Sequence, residues 1–378
     1  MGFDWIASPA CTELELLTLD WLGRFLQLPE RLLPHGPGRG GGVIQGSAGE
    51  AAIVVLLAAA QAQPEGCKRD QMVVYCSDQS HAIIEKACMV LGIGHVRTIE
   101  TTQQHNWTLQ PSVLRSVLQQ DVDAGLAPIA CVATSGTTST CTFDDLDAIA
   151  DVCIAFDVWL HVDAAYGGAY ACLPELAHLF KGLEKVDSFC VNCHKKMLCP
   201  FDLCALYVAD RTPVLKALSL QPEYLRNAAS ESGAVVDYEH WQMPLGRRFR
   251  ALKLWFVLRR YGATGLRRHM RSGIEHRERL EKYIAEETKL EIAVPPSLSL
   301  VCFRLKGVDN AIQLQFLDHI NAGGECFIIH TKVSGNVVLR IACGGLEQST
   351  ADIDAFWGVL RAKLHSFQVP AASAHPMA

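Results

Sequence analysis

The chain has 378 residues, 49% of them hydrophobic and 20% charged, which excludes a disordered or fibrous protein and leaves room for one large domain with a smaller companion. A formal charge of -6 argues against a nucleic-acid surface. The longest unbroken apolar run, Ala51 to Ala60, falls far short of the roughly 20 residues that cross a bilayer, so no membrane span is expected.

In chain order, Ser8-Pro9 opens a helical stretch with Leu14, Leu17, Trp21, Leu22 and Phe25 on one face, ending by Pro29. A glycine cluster, Gly38 to Gly42 interrupted by Arg39, leads into the helix-like "GSAGEAAIVVLLAAA". The β-branched runs "MVVYCS", "HVRTI", "IACVAT", "VWLHVD", "SFCVN" and "LCALYV" follow, with helical segments such as Leu114 to Gln120 and Asp144 to Ile154 between them. This alternation predicts an α/β fold for residues 1–250, a mainly parallel sheet with helices on both faces. Over residues 251–367 a long helix, "LKLWFVLRRYG", gives way to strands "LSLVCFRL" and "NVVLRIAC" among further helices, which predicts a smaller C-terminal α+β domain; 368–378 reads as a tail. In "RRFRALKLWF" the arginines alternate with apolar residues as on an amphipathic packing helix rather than a nucleic-acid patch. No basic stretch opens the N-terminus and no prenylation cysteine closes the C-terminus. Fifteen cysteines without an export signal point to thiols kept reduced in the cytoplasm.

The segment "DSFCVNCHKKMLCPFDLC", residues 187–204, admits three readings. Cys190, Cys193 and His194 spell a haem-attachment pattern, and with Cys199 and Cys204 they make a candidate zinc set. Lys195 and Lys196, next in line, offer a reactive amine instead, and the absence of an export signal weighs against haem. Asp163 ends the apolar run Val158 to Val162, at the strand edge where open α/β sheets bind ligands, although a lone acid there is more often a helix cap. Lys195 follows Asp163 by one crossover helix and one strand, so both side chains reach one sheet edge. A lysine and a carboxylate converging there suit pyridoxal phosphate (PLP): the amine forms a Schiff base and the acid keeps the ring nitrogen protonated. Ser47, Ala48 and Gly49 open the apolar helix, where free amides hold a phosphate. Ser135-Gly136-Thr137-Thr138 and His81 stand after other strands at the same edge, each with a structural reading of its own as a turn or a cap.

The stretches "GFDWIASPACTELE", "GGGVIQGSAGEA", "SDQSHAIIEKA", "WLHVDAAYGGAY", "NCHKKML" and "DYEHWQMPLGRRFRALKLWFVLRRYG" together resemble the group II PLP-dependent decarboxylases, above all those acting on aromatic L-amino acids and, beside them, histidine decarboxylases. The resemblance runs from Phe3 to about residue 365 and implies a fold-type I, PLP-transferase-like α/β architecture. It implies Lys195 as the Schiff-base lysine and Asp163 as partner of the pyridine nitrogen, with Ala165 and His81 on the two faces of the ring. Ser47, Ala48, Gly49, Asn192 and His194 would bind phosphate, and Thr138 would line the cofactor. Tyr224 would protonate Cα after carbon dioxide leaves, which goes with amine rather than aldehyde as product. Phe3, His81 and Gly246 would contact substrate, and glycine at 246 goes with a bulky aromatic side chain such as that of DOPA, 5-hydroxytryptophan, tryptophan or tyrosine. The expected assembly is a homodimer, with no metal, nucleic-acid or membrane partner. Members of the family usually carry a segment before the "GF-W" motif that wraps the partner subunit, so a weakened dimer is expected, and a catalytically impaired pairing partner stands beside histidine decarboxylase as an alternative. Cys193 and Lys196 depart from the family pattern around the reactive lysine.

Overall fold

The computed structural model describes residues 2–220 and 235–368. It divides into two units, Met1–Thr138 with Thr142–Met270, and Ser139–Cys141 with Arg271–Ala378.

In the larger unit a seven-stranded sheet runs in the order β1-β7-β6-β5-β4-β2-β3. Its strands are β1 (Gly41–Gln45), β2 (Met72–Ser77), β3 (His95–Ile99), β4 (Ala127–Thr134), β5 (Trp159–Asp163), β6 (Ser188–Asn192) and β7 (Cys204–Val208). Pairing is parallel from β3 through β6, and β7 lies antiparallel to both β6 and β1. Strands buried on both faces need apolar residues at every position, which is why these segments read as continuous runs rather than alternating ones. The two-residue period still sorts the faces. Met72, Val74 and Cys76 of β2 join a cluster with Ala52 and Leu56 of helix α2 (Ala48–Gln61) and Ile84 and Cys88 of α3 (Ile83–Leu91). Tyr75 points the other way, and its hydroxyl donates to Asp121 on α4 (Pro111–Asp123) at 2.9 Å. Arg97 forks onto the same carboxylate, which it holds below the usual range against the opposing effect of burial.

Around this sheet stand α1 (Pro9–Phe25), α5 (Leu146–Ala155), the single-turn α6 (Cys193–Lys196) and α7 (Thr212–Leu218). A buried ion pair joins Glu15 of α1 to Arg247; Glu15 also accepts from the Ile44 amide at 2.8 Å, so one carboxylate ties α1, β1 and the 242–247 segment together.

Helix α8 (Arg250–Glu286) departs from helical angles at Gly262, where φ is 60°. The unit boundary falls within it, at 270/271 rather than the expected 250/251, and Ser139–Cys141 goes with the smaller unit. Side-chain bonds explain both shifts. Arg267 donates to the Cys172 carbonyl at 2.8 Å, which binds this part of the helix to the larger unit. Ser139 shares a 2.8 Å hydroxyl contact with Thr331 and accepts from Cys302, both in the smaller unit.

The smaller unit is an antiparallel sheet, β10-β11-β9-β8, formed by β8 (Leu290–Ser297), β9 (Leu300–Leu305), β10 (Ile329–Val333) and β11 (Asn336–Ala342). Helices α9 (Asn310–Asn321) and α10 (Thr350–Ser366) contribute Phe316, Ile320, Ile353 and Leu360 to a core with Phe303 and Leu339. A reciprocal cap between Ser349 and Asp352 starts α10.

Candidate active site

Backbone bonds extend the sheet past its last ladder pairs. Ser135 N donates to Asp163 O at 3.0 Å, Ala164 N to Cys190 O at 3.0 Å, and Asn192 N to Ala165 O at 3.2 Å. The turns after β4, β5 and β6 are thereby held side by side at the carboxyl edge, where parallel sheets place their ligands. Close packing requires glycine at two of them. A Cβ on Gly136 would sit 2.8 Å from the Gly167 backbone, and one on Gly167 would sit 2.3 Å from the Ser135 carbonyl. Asp144 braces the first turn from beneath, accepting from Thr134 N at 2.8 Å and Leu109 N at 2.7 Å. Burial pushes its carboxyl up to about 6 despite those two donors.

These turns enclose a cavity of about 250 Å3. On one side Ser47, Ala48 and Gly49 bring the start of α2 to it. Ser47 caps that helix by accepting from Glu50 N, while Glu50 accepts from Gly46 N at 2.8 Å, so the helix start is fixed without using the amides of Ala48 and Gly49. A Cβ on Gly49 would meet the Ile83 side chain at 2.8 Å, so glycine there lets the start of α2 pack against the start of α3. On the other side stand Asp163, Ala165, Tyr166, Asn192 and Lys195. Asp163 is 6% exposed, and its Oδ1 accepts from Ala165 N at 3.0 Å and from the Cys190 thiol at 3.9 Å, which sets the carboxylate's orientation at the cavity. Asn192 Oδ1 is buried and makes no hydrogen bond among the described residues. His81, Thr134, Gly136 and Thr138 complete the lining with Ile83, and His81 Nδ1 accepts from Ile83 N at 3.1 Å, which orients its ring.

Which of the two adjacent lysines serves the cavity is decided by α6. Lys195 is exposed and lines it, whereas Lys196 is buried and lies over the Tyr166 ring. Of the residues singled out from the sequence, Ser47, Ala48, Gly49, His81, Thr138, Asp163, Ala165, Asn192 and Lys195 therefore converge. His194 does not join them. Its Nδ1 accepts from Leu203 N at 2.9 Å and its ring packs on Phe201, with burial and then the Lys195 charge lowering its basicity. Phe3 is half-buried, its carbonyl accepting from Glu239 N, and Gly246 is exposed; neither lines the cavity. Tyr224 lies outside the described residues. Ile83, Thr134 and Tyr166 are lining residues the sequence did not single out. Thr134 and Tyr166 immediately flank motifs that were, and Ile83 follows His81 by two positions. The cysteines of 187–204 serve packing: Cys190, Cys193 and Cys204 are fully buried, and among the described residues no three His, Cys, Asp or Glu side chains group as metal ligands.

The cavity fits PLP on its own geometry: free amides at a helix start for the phosphate, a buried acid held at the opposite wall for the ring nitrogen, an unpaired amide oxygen, and an amine at the mouth. Comparisons agree. The pyridoxal-dependent decarboxylase conserved domain matches residues 1–306. The aromatic-L-amino-acid decarboxylase of Sus scrofa is 41% identical over 372 residues, 96% of this chain and 76% of that one. The 3,4-dihydroxyphenylacetaldehyde synthase of Drosophila melanogaster is also 41% identical, over 97% of this chain and 74% of that one. The crystal structure of Oryza sativa TDC with PLP and tryptamine superimposes with a TM-score of 0.93 at 37% identity, covering 96% of this chain and 78% of that one.

Proposed function

The chain belongs to the pyridoxal-dependent decarboxylases, and from that membership we propose its reaction: a PLP-dependent carboxy-lyase that converts an aromatic L-amino acid to its amine and carbon dioxide. The observation that carries this reading is the meeting of Lys195, Asp163 and the start of α2 at one cavity.

Bound there, PLP would supply an aldehyde for amines and a protonated pyridine able to accept the electron pair left on Cα when carbon dioxide departs. The chain's residues do the rest. The amides of Ala48 and Gly49 would hold the phosphate. Asp163, oriented by the Ala165 amide, keeps a proton on the ring nitrogen, since a buried carboxylate favours a cation beside it. Lys195 would supply the amine that holds the aldehyde, and His81 and Ala165 would flank the ring. Walls that fix the substrate's Cα–carboxylate bond perpendicular to the ring select that bond for cleavage. Tyr224 carries a phenol that delivers a proton to Cα, which favours amine over the aldehyde made by relatives such as the Drosophila synthase. Gly246 does not line this cavity and enters the reading only through the family resemblance, in which glycine there goes with a bulky catechol or indole substrate.

The working form is a homodimer. Met243, Leu245, Phe249 and Phe256, exposed by 42 to 58%, form apolar surface of the kind a second copy covers. The compartment is the cytoplasm, a reading supported by fifteen cysteines that are all free thiols.

The test is to titrate the purified chain with PLP, follow the absorption band the cofactor gains when tied to a lysine, and assay products from DOPA, 5-hydroxytryptophan, tryptophan, tyrosine and histidine. Amine and carbon dioxide in equal amounts from an aromatic substrate are expected. Aldehyde as the main product would overturn the role of Tyr224, and turnover of histidine alone would overturn the substrate class.

A further inference from the structure

Packing alone does not account for Cys190. Its side chain sits in an apolar cluster with Val43, Ala51, Val54 and Leu206, where a small hydrocarbon would serve as well, yet its thiol reaches Asp163 Oδ1 at 3.9 Å. The contact is built into the sheet. Cys190 is the register partner of Asp163 across β5 and β6, and the two-residue period puts Ser188, Cys190 and Asn192 on one face of β6, with Asn192 lining the cavity.

A second thiol stands beside it. Cys204 of β7 pairs in register with Asn192, which sets it diagonally next to Cys190 within the same cluster, and the two thiols hydrogen-bond to each other. Their chemistry orders the pair. Burial first, and then the bond to Cys190, push the Cys204 thiol well above its ordinary range, so Cys204 keeps its proton and donates. The same bond draws the Cys190 thiol down to about 7, against burial and the Asp163 charge, with His161 adding to the pull. Below that pH Cys190 accepts from Cys204 and donates its own S–H to Asp163. Oδ1 of Asp163 thus takes two donors, this thiol and the Ala165 amide at 3.0 Å, while Oδ2 accepts no hydrogen bond from the described residues.

We propose that Cys190 and Cys204 are positioning residues for Asp163: the thiol pair, running from β7 to β6, holds Oδ1 and so leaves Oδ2 to pair with the protonated ring nitrogen of the cofactor. The proposal rests on the reading that the cavity takes PLP with Asp163 at its pyridine nitrogen. It gives two buried cysteines of the 187–204 segment a task beyond filling the core.

The experiment titrates the full-length apoprotein with PLP and, separately, with deaza-PLP, the analogue in which C–H replaces the ring nitrogen, at pH 6, where Cys190 keeps its proton. The ratio of the two dissociation constants reads the ring-nitrogen contact alone, because a disturbed core would weaken both ligands together. The parent is expected to prefer PLP, and Asp163→Asn to lose most of that preference. Cys190→Ala should raise the PLP constant about threefold, the factor that loss of one weak hydrogen bond produces, and leave the deaza-PLP constant within about 1.5-fold. Cys204→Ala should raise the PLP constant about twofold, and adding it to Cys190→Ala should change nothing more, since Cys204 acts through Cys190. In the Asp163→Asn background Cys190→Ala should move neither constant. An unchanged ratio in Cys190→Ala overturns the proposal, whether it comes from parent-like constants or from equal losses of both ligands. A full further loss when Cys204→Ala is added to Cys190→Ala overturns it as well. Should Cys190→Ala fail to fold, Cys190→Val, which has no S–H to donate, decides by the same ratio; if neither folds, Cys190 is a core residue only and the proposal falls. A parent that binds neither ligand sinks the cofactor reading and this proposal together. A parent that binds both equally sinks the role of Asp163 and this proposal while the cofactor reading stands, and a parent that prefers PLP beside an unaffected Cys190→Ala sinks this proposal alone.

Discussion

Three asparagines at the ends of secondary-structure elements fare differently in the two units. In the smaller unit Asn310 and Asn321 begin and end α9. Asn310 donates to the Gly335 carbonyl at 2.9 Å and accepts from Val337 N at 2.8 Å. Asn321 does the same with Ile328, at 3.0 and 2.9 Å. Both amides are spent on the backbone, and the helix is clamped to the chain around β10 and β11. In the larger unit Asn192 ends β6, and its Oδ1 is buried with no partner among the described residues, at the wall of the cavity. The side-chain chemistry is the same in all three. Folding satisfies most buried polar groups, and the oxygen left open here, at a strand end beside Lys195 and Asp163, stands where a ligand could supply its partner.

The largest effect that sharpens this contrast is Lys195→Ala. Removing the amine that faces the cavity should lower turnover by at least about 10³-fold, because the group is part of the bond-making machinery rather than its support. The lysine-dependent PLP band should vanish with it while the melting temperature of the apoprotein holds, since Lys195 is exposed. Loss of fold in Lys195→Ala would mean the residue is structural and the contrast is misplaced. Next comes a matched pair, Asn321→Ala and Asn192→Ala. The first strands the amide and carbonyl of Ile328, a residue 5% exposed, and should cost about 2 kcal/mol of stability in chemical denaturation with PLP affinity unchanged. The second removes an amide whose Oδ1 has no partner among the described residues, and should leave stability within about 0.5 kcal/mol while weakening PLP about tenfold. The reverse pattern would break the comparison.

The same division explains what the sequence could and could not reveal. Asp163 and Lys195 were legible because Asp163 ends one apolar run and Lys195 follows the end of another by three residues, and in a parallel sheet such ends share one edge by geometry alone. The seven-stranded sheet was legible except for β1, whose two glycines read as part of a loop. Packing makes it a strand: a Cβ on Gly41 would lie 2.6 Å from the Trp241 ring, two hundred residues away in the chain. Strand β8 was hidden by Pro295 and Pro296, which it tolerates at the edge of the smaller sheet. Side-chain direction at turns was the least legible feature. His194 adjoins Lys195 and carries a ligand-like ring, yet the Leu203 amide nine positions on captures that ring, and no local pattern announces the return of the chain.

The smallest effect tests the rule from its weak side, at an orphaned atom that lines no cofactor cavity. Glu239 Oε2 is buried without a partner among the described residues, and burial, then the carboxylates of Asp4 and Asp237, push its carboxyl up to about 7. A carboxyl whose folded value lies above its unfolded one binds its proton more tightly in the native state. Its contribution is therefore favourable in acid and is lost as pH rises from about 4.5, the ordinary value, through 7. Glu239→Gln mimics the protonated form, so the variant and the parent should be equally stable below pH 4.5 and diverge above it. At pH 8 the variant should be more stable by about 1 kcal/mol, less than the full linkage value because the carboxyl keeps part of its hydration. Denaturation curves at pH 4 and pH 8 measure the difference directly. PLP affinity should not move, since Glu239 is absent from the cavity wall. If the substitution weakened PLP instead, an orphaned buried atom would mark the cofactor site even at a distance, through the Phe3 carbonyl that accepts from the Glu239 amide. If it left both quantities unchanged, burial at this position would be too shallow to hold the proton, and the orphaned oxygen would be satisfied by water.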